Sequence, residues 1–170
     1  MNDIRTVKQK IKECIDKLYC DDKYLFDCDV CERCLMFRLA YYLQNKFTNY
    51  FVDCEFDKMG IGENRRDSKV EPNREGSALK RMYADIIIYK RSERTEDNFI
   101  CIEIKRTKNH ISDDVKRLKN MTNQNGFYVE NTSNPYLYAY DFGFSIYLPE
   151  NKREYKIRSF QNGQEVKTVF

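Results

Sequence analysis

The chain has 170 residues, of which 41% are hydrophobic and 34% are charged, and its net charge is +3 at pH 7. This length suits one domain with a single core, and a charge so close to zero neither requires nor excludes a polyanionic partner. The apolar residues form no run of ~18 that would cross a bilayer, and residues 1–10 lack the apolar core of a signal peptide. We therefore expect one cytoplasmic domain over residues 1–170 with no membrane partner.

Two amphipathic helices are predicted within residues 1–47. The first ends at the acidic Asp21 and Asp22, and the second begins near Asp29 and runs to about Phe47. Apolar residues at steps of three and four lie on one helix face, which needs a sheet or another helix to cover it. The two apolar faces are formed by Ile4, Val7, Ile11, Ile15 and Leu18, and by Leu35, Leu39, Leu43 and Phe47.

Three strands are predicted next. Residues 51–57 alternate between apolar and acidic side chains, as in a half-buried strand. Residues 58–79 are polar and rich in charge, which predicts a long loop. Residues 83–90 and 98–105 are two apolar runs joined by a polar segment, which predicts a β-hairpin.

One more helix and several strands are predicted in the rest of the chain. Ser112 is the predicted N-cap of a helix that reaches about Met121, and strand patterns follow from residue 126. Asn162 and Gly163 predict a tight turn in a C-terminal β-hairpin within residues 150–170. This order of elements indicates an α/β protein with a mixed central sheet.

Three charged residues interrupt the apolar strands of the predicted hairpin, namely Asp85, Glu103 and Lys105. Burying a charge is costly unless it is paired or bound to a metal. Alternation puts Glu103 and Lys105 on one face, and a hairpin closed around residue 94 puts Asp85 opposite Glu103. Two carboxylates so close repel each other unless a cation lies between them. The pattern therefore predicts either a Mg²⁺ or Mn²⁺ site, completed by a backbone carbonyl such as that of Ile104, or an exposed hairpin face with an ordinary glutamate–lysine pair.

Asp85, the hairpin loop and the run from Glu103 to Lys105 resemble the PD-(D/E)xK nuclease superfamily. The resemblance covers residues 29–148 as an order of elements, and Ala84 stands where the family often has proline. It implies a three-layer α/β/α, restriction-endonuclease-like core. It also implies that Asp85 and Glu103 hold Mg²⁺ or Mn²⁺ while Lys105 assists the attacking water. The expected activity is hydrolysis of phosphodiester bonds in nucleic acid, DNA rather than RNA, and a homodimer would suit cleavage of two strands. The alternative is an inactive nucleic-acid-binding or protein-interaction module on the same fold.

Two further acids are candidates for the same site. The family often adds an acid from an early helix, and Glu32 resembles it because Glu32 continues the apolar face of the second predicted helix. Alternatively, Asp29 and Glu32 form a capping box at the start of that helix. Glu55 lies on the polar face of its predicted strand and is either a metal ligand or a solvated strand acid.

Basic residues flank the predicted hairpin on both sides. They suit contacts to phosphates, which would make binding sensitive to salt. Charge runs of this kind also form ordinary solvated faces. The candidates for contact with nucleic acid are Arg65, Arg66, Lys80, Arg81, Arg106, Lys108 and Lys116.

Seven cysteines are present, and without an export signal we expect them to be reduced. Cys28, Cys31 and Cys34 follow one another at steps of three, with Cys20 upstream. This spacing is compatible with an iron–sulfur or Zn²⁺ cluster. It is equally typical of small buried thiols that pack inside a helical segment, which is the interpretation we favour.

Overall fold

The computed structural model describes residues 3–55, 84–92, 94–107, 111–126 and 138–167. Within these ranges no helix is both long and apolar enough to cross a membrane. The predicted loop at 58–79 and the predicted strand that begins at residue 126 lie almost wholly outside the described residues.

The described residues form four helices and six strands in the order α1, α2, α3, β1, β2, β3, α4, β4, β5, β6. Short 3-10 helices precede β3 and β5. The helices are α1 (Ile4–Asp21), α2 (Lys23–Asp27), α3 (Glu32–Lys46) and α4 (Ile111–Met121), and the strands are β1 (Phe51–Cys54), β2 (Ile86–Tyr89), β3 (Asn98–Lys105), β4 (Phe142–Tyr147), β5 (Lys156–Gln161) and β6 (Gln164–Val166).

All six strands join one sheet in chain order from β1 to β6. Strands β3 and β4 are parallel and every other neighbouring pair is antiparallel, so the sheet is mixed, as predicted. Parallel neighbours need a crossover connection, and α4 lies in it. The C-terminal hairpin of β5 and β6 is also confirmed, with Asn162 and Gly163 in its turn at φ values of 50° and 74°.

Helices cover both faces of the sheet, which gives three layers. Alternation along β3 sends Ile100, Ile102 and Ile104 into the core formed with α1 and α3. Cys101 points to the opposite face and belongs to the core formed with α4. The α/β prediction is therefore confirmed at the level of a mixed sheet between helices.

A close contact holds α4 against the sheet at Gly143 of β4. A Cβ atom at this position would lie 2.9 Å from Cγ2 of Thr122 and 3.3 Å from Cδ2 of Leu118. Glycine thus permits the short distance between α4 and β4, and this distance fixes how far α4 side chains reach over the sheet.

Three details differ from the sequence-based expectations. The short helix α2 was not predicted, because it is a single turn too brief for a periodic pattern. Helix α3 begins at Glu32 rather than near Asp29, whose φ of 47° lies outside the helical region. Helix α4 begins at Ile111, so Ser112 lies inside its first turn instead of capping it.

Candidate functional site

The register of β2 and β3 brings Asp85 opposite Glu103. Ile87 pairs with Cys101 and Ile86 with Ile102. Continuing this register by one residue places Asp85 opposite Glu103, as the predicted hairpin requires. Oδ2 of Asp85 accepts a hydrogen bond of 2.6 Å from the backbone N–H of Ile104. The Asp85 carboxylate is thereby fixed against the end of β3.

Glu103 is a buried carboxylate that pairs with Arg117 of α4, the helix that covers this face of the sheet. Its side chain is 1% exposed. Nε of Arg117 lies 3.0 Å from Oε1 and Nη2 lies 3.0 Å from Oε2. This two-point geometry is the strongest form of an arginine–carboxylate pair. Arg117 therefore acts as the internal counter-ion of Glu103.

Asp114, one helical turn before Arg117 on α4, is a third buried acid at this site. Its Oδ1 accepts a hydrogen bond from Nη2 of Arg117. Its Oδ2 is buried and has no hydrogen-bond partner among the described residues, although Nζ of Lys105 lies 3.7 Å away. An acceptor left in this state is unusual in a protein interior and points to a missing partner.

Sequence reasoning assigned no role at the site to Asp114 or Arg117. An acid in the first turn of a helix has an ordinary local explanation, because it interacts favourably with the helix dipole. The pattern did contain a signal, because Asp114, Leu118 and Met121 lie at steps of four and three on one helix face. A charge at the first position of this buried face needs an explanation of its own.

Lys105 links the acids of the sheet to α3. Its Nζ lies 3.3 Å from Oε1 of Glu32 and 3.1 Å from the carbonyl oxygen of Ile104. The other Glu32 oxygen accepts a hydrogen bond of 3.0 Å from the backbone N–H of Arg106. Glu32 therefore holds Lys105 in place from the first turn of α3.

The capping-box interpretation of Asp29 and Glu32 is wrong. The N-cap of α3 is Cys31, and both carboxylate oxygens of Glu32 are used in contacts with the end of β3. Asp29 instead pairs with Arg106, at 2.9 Å from Nη1.

Burial has the largest effect on the pKa values of Asp85, Glu103 and Asp114. It raises the pKa of Asp85 to about 6, against the opposing effects of the Ile104 N–H and Lys105. It raises the pKa of Glu103 to about 8 in spite of Arg117. It also raises the pKa of Asp114. Burial therefore makes the ionised form of each acid costly, and a bound cation would offset that cost.

For Lys105, the effect of neighbouring charges on the pKa outweighs the effect of burial. Burial lowers the pKa of Lys105, but the surrounding carboxylates of Asp85, Asp114 and Glu32 together raise it above its usual value. The amine is therefore a charged ammonium at neutral pH. It can orient a water molecule or neutralise a phosphate, but it is poorly suited to removing a proton.

The site carries a surplus of negative groups, with four acids (Asp85, Glu103, Asp114 and Glu32) against the side-chain cations of Lys105 and Arg117. Hard oxygen donors and surplus negative charge suit Mg²⁺ or Mn²⁺, and Oδ2 of Asp114, which accepts no hydrogen bond from the described residues, fits the same need. Among the described residues, however, no three acid, cysteine or histidine side chains are close enough together to hold a metal ion. The oxygen donors thus suit a divalent cation in chemical type and charge. In this arrangement, however, Arg117 binds both oxygens of Glu103.

The other predicted ligands and phosphate contacts lie in different surroundings. Glu55 donates its backbone N–H to the carbonyl oxygen of Asp85, but its carboxylate pairs with Arg33 at the surface, 2.9 Å away. Arg106 is mostly buried and binds Asp29 and the carbonyl oxygen of Val30, so it joins β3 to the start of α3. Lys116 is exposed on α4. Arg65, Arg66, Lys80, Arg81 and Lys108 lie outside the described residues.

The expectation of buried thiols in the cysteine-rich segment is wrong. Cys20, Cys28, Cys31 and Cys34 are all exposed, whereas Cys14 and Cys101 are buried. Cys34 lies one residue before Leu35, which places its side chain away from the apolar face of α3. No metal-binding group is formed by the cysteines of the described segments.

Comparison of the chain with protein-family models, with curated proteins and with solved structures finds no match.

Proposed function

We propose that this protein is a nuclease that depends on Mg²⁺ or Mn²⁺ and hydrolyses phosphodiester bonds in nucleic acid, DNA rather than RNA. The observation that carries the proposal is the convergence of Asp85, Glu103 and Lys105 with Glu32, which is more than fifty residues away in the sequence. Acids and a lysine on an ordinary solvated surface have no reason to be brought together from distant parts of the chain around a fully buried glutamate.

Asp85, Glu103 and the carbonyl oxygen of Ile104 are the groups that would hold the metal, with Asp114 as a further acid. When bound, the metal supplies a Lewis acid that polarises the phosphodiester and favours ionisation of the attacking water. Arg117 must leave Glu103 for this carboxylate to become a ligand. Arg117 remains beside Asp114 on α4, and its freed guanidinium suits contact with the substrate phosphate.

The role of Lys105 follows from its charge. Held by Glu32 and by the Ile104 carbonyl, the ammonium group donates hydrogen bonds in fixed directions and can orient the attacking water. It also offsets negative charge that develops on the phosphate in the transition state. Glu32 is a positioning residue, since both of its oxygens are engaged with the end of β3.

A second candidate is a nucleic-acid-binding or protein-interaction module without turnover. One observation favours it, namely the two-point pair between Glu103 and Arg117, which satisfies this fully buried acid without a metal. Such a module would bind nucleic acid in a salt-sensitive manner without a divalent ion, or would not bind it at all.

The two candidates are separated by a cleavage assay on labelled single-stranded and double-stranded DNA and RNA, with Mg²⁺, with Mn²⁺ and with a chelator. We expect cleavage that needs the metal and is lost in Glu103→Gln. Glu165→Gln is the matched control, because it makes the same change at an exposed glutamate of the C-terminal hairpin. Cleavage that survives in Glu103→Gln would refute the assigned roles. Light scattering on the same samples would test the expected homodimer.

A further inference from the structure

Two exposed thiols lie side by side at the start of α3. Sγ of Cys31 and Sγ of Cys34 are 3.5 Å apart, close enough for one thiol to donate a hydrogen bond to the other. Cys31 is the N-cap of this 15-residue helix and Cys34 lies in its first turn. The two sulfurs therefore need only a small approach to reach the S–S bond length of about 2.0 Å.

We propose that Cys31 and Cys34 form a reversible dithiol–disulfide pair that exchanges with small disulfides. Exposure and proximity set this pair apart from the other cysteines. Cys14 and Cys101 are buried and Cys54 is half-buried, and burial raises the pKa of all three thiols, of Cys14 and Cys54 to about 11. Cys20 and Cys28 are exposed, but neither has a second thiol within hydrogen-bonding distance among the described residues.

The helix start supports thiolate formation at this position. The C-x-x-C spacing of Cys31 and Cys34 puts the first sulfur where backbone N–H groups and the helix dipole favour negative charge. The pKa of Cys31 is lowered, first by the backbone N–H of Cys34 and then by its thiol. The pKa of Cys34 is raised, first by its hydrogen bond with Cys31. Cys31 is thus the attacking thiol and Cys34 the resolving one.

The exchange takes two steps. The Cys31 thiolate attacks one sulfur of a disulfide RSSR, so that a Cys31–S–S–R bond forms while the R–S–S–R bond breaks and RS⁻ leaves. The Cys34 thiolate then attacks the sulfur of Cys31, which forms the Cys31–Cys34 bond and expels the second RS⁻. Both leaving thiolates take up the protons that the two cysteines lose. The protein is oxidised by two electrons and RSSR is reduced to two RSH.

The pair encloses a residue of the candidate site. Glu32 lies between the two cysteines, and its carboxylate holds Nζ of Lys105 and the backbone N–H of Arg106. A bond between Cys31 and Cys34 restrains the backbone on both sides of Glu32. We therefore expect oxidation to alter these contacts, and its effect on cleavage rests on the proposed function, whereas the exchange itself does not.

The test equilibrates the full chain with mixtures of reduced and oxidised glutathione, traps free thiols by alkylation, and maps the peptides by mass spectrometry. We expect the peptide that carries Cys31 and Cys34 to lose two hydrogens without gaining glutathione. Cys34→Ser should stop at one glutathione on Cys31, and Cys31→Ser should react about tenfold more slowly. Serine is a preferred N-cap, so Cys31→Ser should keep the helix.

Cys20→Ser and Cys28→Ser are the matched controls and should leave the pair unchanged. Two free thiols at Cys31 and Cys34 across the whole redox series, or oxidation that begins at Cys20 or Cys28, would overturn the proposal. The amide signal of Arg106 in ¹H–¹⁵N spectra reports the Glu32 contact, and we expect it to shift on oxidation. Because neither readout involves cleavage, a negative nuclease assay would not be confused with failure of the thiol pair.

Discussion

Glu103 on β3 and Arg117 on α4 form a buried two-point ion pair, with both nitrogen–oxygen distances at 3.0 Å. The pair joins the sheet to the helix that covers it and satisfies a fully buried acid of the candidate site. It is also the contact that has to open if Glu103 is to hold a metal.

Removing the arginine should destabilise the metal-free protein. In Arg117→Ala the buried Glu103 side chain loses its cation and both hydrogen bonds from the guanidinium, which we expect to lower the free energy of unfolding by about 3 kcal/mol. Urea denaturation at neutral pH measures this change. Arg158→Ala, which breaks the exposed pair with Glu165, should cost less than about 1 kcal/mol. Equal losses in the two variants would show that the buried pair contributes no more to the free energy of unfolding than the exposed pair.

The raised pKa values of Asp85 and Glu103 predict how stability depends on pH. Acids with pKa values near 6 and 8 in the folded protein bind protons more tightly than they do in the unfolded chain, where the values are near 4. Their contribution is complete below about pH 4 and is lost as pH rises through about 6 and 8, by at most about 1.4 kcal/mol per pH unit for each group.

Glu103→Gln isolates one of these contributions. Between about pH 6 and 8 the free energy of unfolding of this variant should fall less steeply than that of the wild type, because glutamine does not titrate. Urea denaturation across this range provides the comparison. Parallel curves for the two proteins would mean that Glu103 titrates no higher than an ordinary glutamate.

Loss of the Asp114 carboxylate should reduce cleavage, whereas loss of the neighbouring Asp113 carboxylate should not. If Oδ2 of Asp114 serves the proposed metal site, Asp114→Asn should reduce metal-dependent cleavage at least about tenfold. Asp113→Asn makes the same change at an exposed acid of the same helical turn and should stay within about twofold of the wild type. A similar loss in both variants would indicate an effect on the helix rather than on the site.

Gly143 tests the packing that positions α4. In Gly143→Ala the new methyl group would meet Cγ2 of Thr122 at 2.9 Å, so α4 or β4 must shift. We expect a loss of about 1–3 kcal/mol in the free energy of unfolding. Because α4 carries Asp114 and Arg117, cleavage should fall as well, and a variant as stable as the wild type would show that this contact is loose.

The sequence was sufficient to predict the central part of the site. Strict alternation in β3 fixed which face carries Glu103 and Lys105, and the symmetric spacing of two apolar runs fixed the pairing of Asp85 with Glu103. Both inferences follow from the two-residue period of a strand, which holds wherever one face is buried.

The parts that could not be predicted depend on long-range contacts. The role of Arg117 is one of them, since nothing in its neighbourhood in sequence shows that α4 folds back over Glu103. Glu32 had two equally good local explanations, and only the position of Lys105 and Arg106 relative to α3 decides between them. The thiols of Cys31 and Cys34 are exposed because Cys31 precedes the first turn of α3 and Cys34 lies off its apolar face, and the spacing of the cysteines alone does not show either fact.

Manganese binding tests the central claim most directly, because it requires no knowledge of the substrate. Calorimetric titration of Mn²⁺ should give a measurable heat of binding with the wild type and with Asp113→Asn, and none with Asp85→Asn. Equal binding by the wild type and Asp85→Asn, or no binding by any of the three proteins, would contradict the account, and the buried acids would then be partners for Lys105 and Arg117 alone.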